Sequence, residues 1–158
     1  MTRRFHILSS VLVAVGLMLL PTAGFASADK GTADEAKAMV EKAAALLKAS
    51  GPDKAFEAFN DAANKDFHDR DLYIFVRGMD GNTVAHGANK GMIGHTNLDL
   101  KDADGKPYNK EMIDLATSKG SGWVDYRWVN PVSHKIEPKS SFIEKVGDFV
   151  VGAGFYKD

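Results

Sequence analysis

The 158-residue chain has no cysteine, 20 Lys+Arg against 21 Asp+Glu, and 44% hydrophobic residues. That length suits one globular domain, and a formal charge of −1 lacks the basic footprint of a nucleic-acid binder. Without cysteine there are no disulfides, thiolate nucleophiles, zinc fingers, iron–sulfur clusters or c-type haem attachments.

Residues 1–28 read as an export signal. Arg3 and Arg4 precede an apolar run from Ile7 to Leu20, Pro21 interrupts it, and Ala26-Ser27-Ala28 offers the small-x-small cleavage pattern. The run falls short of the roughly 20 residues that a spanning helix needs. Cleavage is expected after Ala28, leaving residues 29–158 as one soluble periplasmic or secreted domain with no stable membrane insertion. Its 18 basic and 21 acidic side chains give a net charge of −3.

Thr32 and Glu35 form a capping-box pattern at the start of a helix. Met39, Val40, Ala43, Leu46 and Leu47 fall on one face of it, and Ser50-Gly51 ends it. Pro52 suits the first turn of a second helix with a buried stripe of Ala55, Phe56, Phe59 and Ala63. From Asp71 the period changes. Leu72 to Arg77 is β-branched and aromatic, Met79 to Asn82 is a turn, and Thr83 to His86 returns as a strand. Residues 87–104 read as a loop, and 107–119 as a helix stopped by Gly120.

Three strands close the chain. Residues 122–129 alternate, with Val124, Tyr126 and Trp128 on one face and Trp123, Asp125 and Arg127 on the other. A turn at 130–134 leads to a strand at 139–146, and Gly147-Asp148 joins it to 149–156 as a two-residue hairpin. The order ααββαβββ with tight later turns predicts an α+β fold around a mainly antiparallel sheet.

Most chemistry finds no support. His68, His86, His95 and His134 lack metal-ligand spacing, and Asp102-Ala103-Asp104-Gly105 reads as an Asp-Gly turn because the other ligands of a calcium loop are missing. Ser140 and Ser141 lie outside any nucleophile elbow. Gly147, Gly152 and Gly154 belong to strands and a hairpin, so they make no phosphate loop. No catalytic residue, metal or cofactor is expected. The informative stretch is 120–128, where three large aromatics and an arginine share one strand, with Lys139 following. Such residues either line an apolar pocket with oriented polar tips or form a sheet core beneath solvated charges.

The runs Asp71-Leu72-Tyr73-Ile74-Phe75-Val76, Asp80-Gly81 with Ala85-His86-Gly87, and Asp102-Ala103-Asp104-Gly105-Lys106-Pro107 together resemble the single Cache domain family, type 2. So do residues 120–131, 135–142 and 150–156, and the resemblance covers nearly all of 33–158. It implies a PAS-like fold, with a long N-terminal helix packed against an antiparallel sheet and a ligand pocket between sheet and loops. Members are usually extracellular sensor modules of chemoreceptors and sensor kinases, many of which bind acetate, propionate, lactate or pyruvate. By position in the motifs, Tyr73, Phe75, His86, Tyr126, Trp128 and Lys139 are implied as pocket residues. His86, Tyr126 and Lys139 would hold a carboxylate and the aromatics would form walls. Trp123 and Arg127 replace Tyr126 and Trp128 if the pocket uses the other sheet face.

Because the chain stops soon after its last strand, a free-standing module is expected, which binds a small carboxylate and signals through a separate membrane receptor or sensor kinase. The alternative is an interaction or structural module without a functional small-molecule pocket.

Overall fold

The computed structural model describes residues 30–157. The expected export signal and its cleavage point after Ala28 lie outside the described residues. Helix α1 spans Ala33–Ser50 and starts as its sequence dictates. The Thr32 side chain accepts from the Glu35 N–H while the Glu35 carboxylate accepts from the Thr32 N–H. Gly51, at φ 78°, breaks the helix, and Pro52 opens α2, Pro52–Asn60. Ala55 and Phe59 are buried as expected, whereas Ala63 lies beyond the end of α2 and is exposed.

Two short strands follow, β1 (His68–Asp69) and β2 (Leu72–Tyr73), turned about Arg70 in a left-handed conformation. The expected strand over residues 72–77 is divided. Ile74 leaves the ladder because its N–H donates to the Phe67 carbonyl and its carbonyl accepts from Gly87 N–H; β3 then runs Phe75–Gly78. The remaining elements are β4 (Thr83–His86), a 3-10 turn (Lys90–Met92), α3 (Tyr108–Lys119), β5 (Ser121–Val129), β6 (Ile136–Val146) and β7 (Phe149–Tyr156). Strand β6 begins three residues earlier than expected, since pairing with β5 continues to Val129↔Ile136.

Strands β3 to β7 form an antiparallel sheet in the order β4-β3-β7-β6-β5. Helices α1 and α2 cover one face and α3 part of the other, so the sheet separates two cores. Val76, Ala85, Phe142, Val146, Val151 and Ala153 meet α1 and α2. Phe75, Val124, Tyr126, Ile143 and Val150 meet Tyr108, Met112 and Ala116 of α3. The chain from Leu72 to Val76 feeds alternate residues to the two cores, which the two-residue period of extended backbone requires. This is an α+β fold with helices on both sides of one antiparallel sheet.

Candidate functional site

The α3 face of the sheet is unusually polar for an interior. Period two places Phe75 and Arg77 on it from β3, Tyr126 and Trp128 from β5, Lys139 and Ser141 from β6, and Tyr156 from β7. Lys139 and Arg77 are only 1% and 3% exposed, and neither makes an ion pair among the described residues. Two buried cations without direct counter-ions are costly, because burial removes water that nothing fully replaces.

Lys139 stands between two aromatic rings. Its Nζ lies 4.0 Å from the Tyr73 ring centre and 4.7 Å from that of Tyr156, and donates to the Tyr156 hydroxyl at 3.3 Å. Burial pushes the ammonium group down to about 7, against the pull of Asp71. The Tyr156 hydroxyl in turn donates to the Val129 carbonyl at 2.7 Å, which ties β7 to the end of β5. Arg77 lies over the Phe75 and Tyr108 rings and donates from Nη1 to Thr83 Oγ1 at 3.1 Å. Its Nε has no hydrogen-bond partner among the described residues.

His86 lies opposite Phe75 in the ladder, 5.0 Å ring to ring from Tyr73. Burial, then the nearby Lys139 and Arg77 charges, holds it down to about 3, so the imidazole is neutral. The Asn89 N–H donates to its Nδ1 at 3.0 Å, which assigns the remaining proton to Nε2 and leaves a fixed donor. The His86 backbone N–H is held at 2.9 Å by Asn60 Oδ1 at the end of α2.

Tyr73 and His86 open onto a cleft of about 410 Å³ that is also lined by Trp128 and Val129, by Ala88, Asn89 and Met92 around the 3-10 turn, and by Pro131 and His134 of the β5–β6 turn. Of the six residues implied by the sequence, Tyr73, His86 and Trp128 line it directly, and Lys139 sits behind the Tyr73 ring. Tyr126 lies deeper, stacked on Tyr108 with centroids 4.6 Å apart and sharing a 3.0 Å hydrogen bond with Ser141. Phe75 does not line the cleft; its ring fills the space that a Cβ on Gly152 would take. Trp123 is on the opposite face, against Phe142 and Phe155, and the Arg127 guanidinium reaches the Ile136 carbonyl.

Sequence reasoning missed Arg77, Asp71, Tyr108 and Tyr156. Arg77 had a usable signal: it continues the Tyr73-Phe75 alternation of a strand buried on both faces. Asp71 is fully buried between α1 and the site. Its Oδ1 accepts from the Gly31 N–H at 2.6 Å, while Oδ2 has no hydrogen-bond partner among the described residues. Burial raises its carboxyl, and the Gly31 bond opposes the rise. Asp102 forms an Asx turn, accepting from the N–H groups of Asp104 and Lys106. Among the described residues no three histidines or carboxylates gather as a metal site.

The helix-flanked antiparallel sheet agrees with the comparisons. The Cache domain model matches residues 37–158, and the chain belongs to that family of sensor domains. It is 37% identical over 91 residues to the sensor histidine kinase MctS of Rhizobium johnstonii, and 29% identical over 93 residues to the methyl-accepting chemotaxis protein McpP of Pseudomonas putida. These segments cover 56% and 58% of the chain but 20% and 17% of those proteins, so the chain spans about a fifth of their length. A solved periplasmic sensor domain of a chemotaxis protein superposes with a TM-score of 0.62 at 28% identity, covering 79% of this chain and 90% of that one. A methyl-accepting chemotaxis protein from Vibrio parahaemolyticus shares the fold, with a TM-score of 0.69 at 24% identity over 79% of this chain and 88% of that one. A Cache chemosensory domain solved for its carboxylic acid recognition also shares it, at 0.66 and 22% over 79% and 92%.

Proposed function

We propose that this protein is an exported sensor domain that binds a short carboxylate in the Tyr73–His86–Trp128 cleft and reports it to a separate membrane receptor or sensor kinase. The observation that carries the reading is the pair of buried cations, Arg77 and Lys139, on the sheet face that also supplies Trp128 to the cleft, Lys139 lying against the cleft-lining Tyr73 ring, and neither with an acidic partner at ion-pair distance among the described residues. A carboxylate would supply the missing negative charge. His86 Nε2–H and the hydroxyl of cleft-lining Tyr73 would donate to its oxygens, and Trp128 and Met92 would limit the length of its chain. Carboxylic acid recognition by a Cache domain of the same fold is in keeping with this. Export rests on residues 1–28 and on the periplasmic sensor domain that this chain resembles; among the described residues no helix is long and apolar enough to cross a membrane.

The test is a thermal-shift screen with acetate, propionate, lactate and pyruvate, followed by calorimetry. A ligand at a hundred times its Kd adds about 2.7 kcal/mol to stability, which raises Tm by roughly 10 °C for a domain of this size. A saturable rise with one acid supports the reading. A folded protein that responds to no acid overturns it and favours an interaction module without a functional pocket.

A further inference from the structure

The carboxylate-binding reading leaves open how a site tolerates two buried cations before its ligand arrives. We propose that the site takes up its carboxylate together with one solvent proton, which Lys139 accepts, so that capture is electroneutral and affinity falls as the medium becomes alkaline. The inference rests on the carboxylate-binding reading.

The geometry separates the two cations by role. Arg77 keeps its charge at any physiological pH, because guanidinium holds its proton far more tightly than an amine. Lys139 is the adjustable group. Around its ammonium stand Tyr73 from β2 and Tyr156 from β7, both neutral; Tyr126 is its β5 ladder partner, and neutral His86 and charged Arg77 bear on the same face. Among the described residues Asp71 is the one acid acting on it, and it spends one carboxylate oxygen on Gly31. Glu137, on the same strand, is engaged by Asn130 and Ser133. Among the described residues nothing at hydrogen-bond distance except a hydroxyl therefore stabilises a charge on Nζ.

A bound carboxylate changes that balance. Nζ lies 4.0 Å from the centre of the Tyr73 ring, and that ring lines the cleft. An anion bound in the cleft, at roughly 7 Å and an effective dielectric near 20, would strengthen the amine's hold on its proton about fiftyfold. The step is simple: the neutral amine gains H⁺ from solvent as the anion enters, and no bond within the ligand changes. Starting from a lysine that is half-protonated near pH 7, affinity then falls on the order of twentyfold between about pH 6.5 and 9. Below that range it is flat, because Lys139 is already charged.

The experiment is isothermal titration of the protein, expressed from its full-length chain, with whichever of acetate, propionate, lactate and pyruvate binds best. Runs at pH 8 use two buffers of different ionisation enthalpy. Uptake of more than about half a proton per ligand, with the alkaline loss of affinity, supports the proposal. Lys139→Arg carries a permanent charge and should bind with a flat pH profile. Should that variant not fold, the Lys139 ¹³Cε resonance of the wild-type protein still decides, since it must titrate near neutrality when empty and at higher pH with ligand. Binding without proton uptake, or a Lys139 that titrates near 10 in the empty protein, overturns the proposal and leaves the carboxylate-binding reading standing. No binding of any acid at any pH overturns both.

Discussion

Replacing Lys139 with methionine keeps the length of the side chain and removes its charge, so it measures what the buried ammonium costs the fold. Each pH unit by which burial lowers a group's protonation midpoint corresponds to about 1.4 kcal/mol. A lysine pushed from 10.5 down to about 7 therefore costs the folded protein on the order of 5 kcal/mol while it stays charged. Against this stand its contacts with the Tyr73 and Tyr156 rings, worth about 1–2 kcal/mol. The hydrogen bond to the Tyr156 hydroxyl is also lost, but that hydroxyl keeps its bond to Val129. Lys139→Met is expected to be more stable than wild type by about 1–4 kcal/mol at pH 6, as is common when buried charges give way to apolar groups.

The pH dependence has a definite sign. Between about 7 and 10.5 the unfolded wild-type chain holds the Lys139 proton and the folded protein does not. Wild-type stability from this group therefore rises with pH in that window, and the variant lacks the rise. The advantage of Lys139→Met should shrink by about 2–3 kcal/mol between pH 6 and pH 9. Urea denaturation at both pH values measures it, and the same variant should lose carboxylate binding. A variant less stable than wild type at pH 6, or a difference that ignores pH, would show that the ammonium is well solvated and the electrostatic reasoning wrong.

Arg77→Met should leave the circular dichroism spectrum unchanged and weaken carboxylate binding at least tenfold by calorimetry, about the value of one charge-assisted hydrogen bond. Gly152→Ala drives a methyl group into the Phe75 ring, so an overpacking loss of about 1–3 kcal/mol in urea denaturation is expected. Glu35→Ala removes half of the capping box and the Arg70 contact, a loss of about 1 kcal/mol at pH 7. Arg70 beside it holds the Glu35 carboxyl below its usual range, so its contribution is present above about pH 4.5 and disappears in stronger acid. Wild type and Glu35→Ala should therefore converge in denaturation curves taken near pH 2.5.

Much of the fold was legible because its signals are local. Thr32 and Glu35 set the start of α1 through bonds within one helical turn. The Gly147-Asp148 turn fixes the β6–β7 register by itself: a two-residue hairpin that pairs Val146 with Phe149 must also pair Lys139 with Tyr156 and Ser141 with Gly154. Alternation in β5 put Tyr126 and Trp128 on one face and Trp123 on the other without saying which was the interior of the site. Local signals also failed in two places. Ile74 looks like the middle of a strand, yet partners at Phe67 and Gly87 take its backbone groups. Ala63 continues the stripe of α2 on paper, but the helix stops at Asn60, where the side chain holds the His86 backbone.

By itself the sequence determined the three helices, the Gly147-Asp148 hairpin and the two faces of β5, because each depends on bonds or periodicities within a few residues. Only the tertiary structure decided the site. The β3–β7 pairing, Phe75↔Gly152, joins segments far apart in the chain, and it brings Arg77 onto the face that carries Lys139, with His86 following through β4. That face, covered only partly by α3 and closed by the β5–β6 turn, turns two ordinary-looking basic residues into buried cations beside a cleft. Charge and hydropathy along the chain cannot show this, because the cost of a cation depends on what replaces its water, and that is set by residues dozens of positions away.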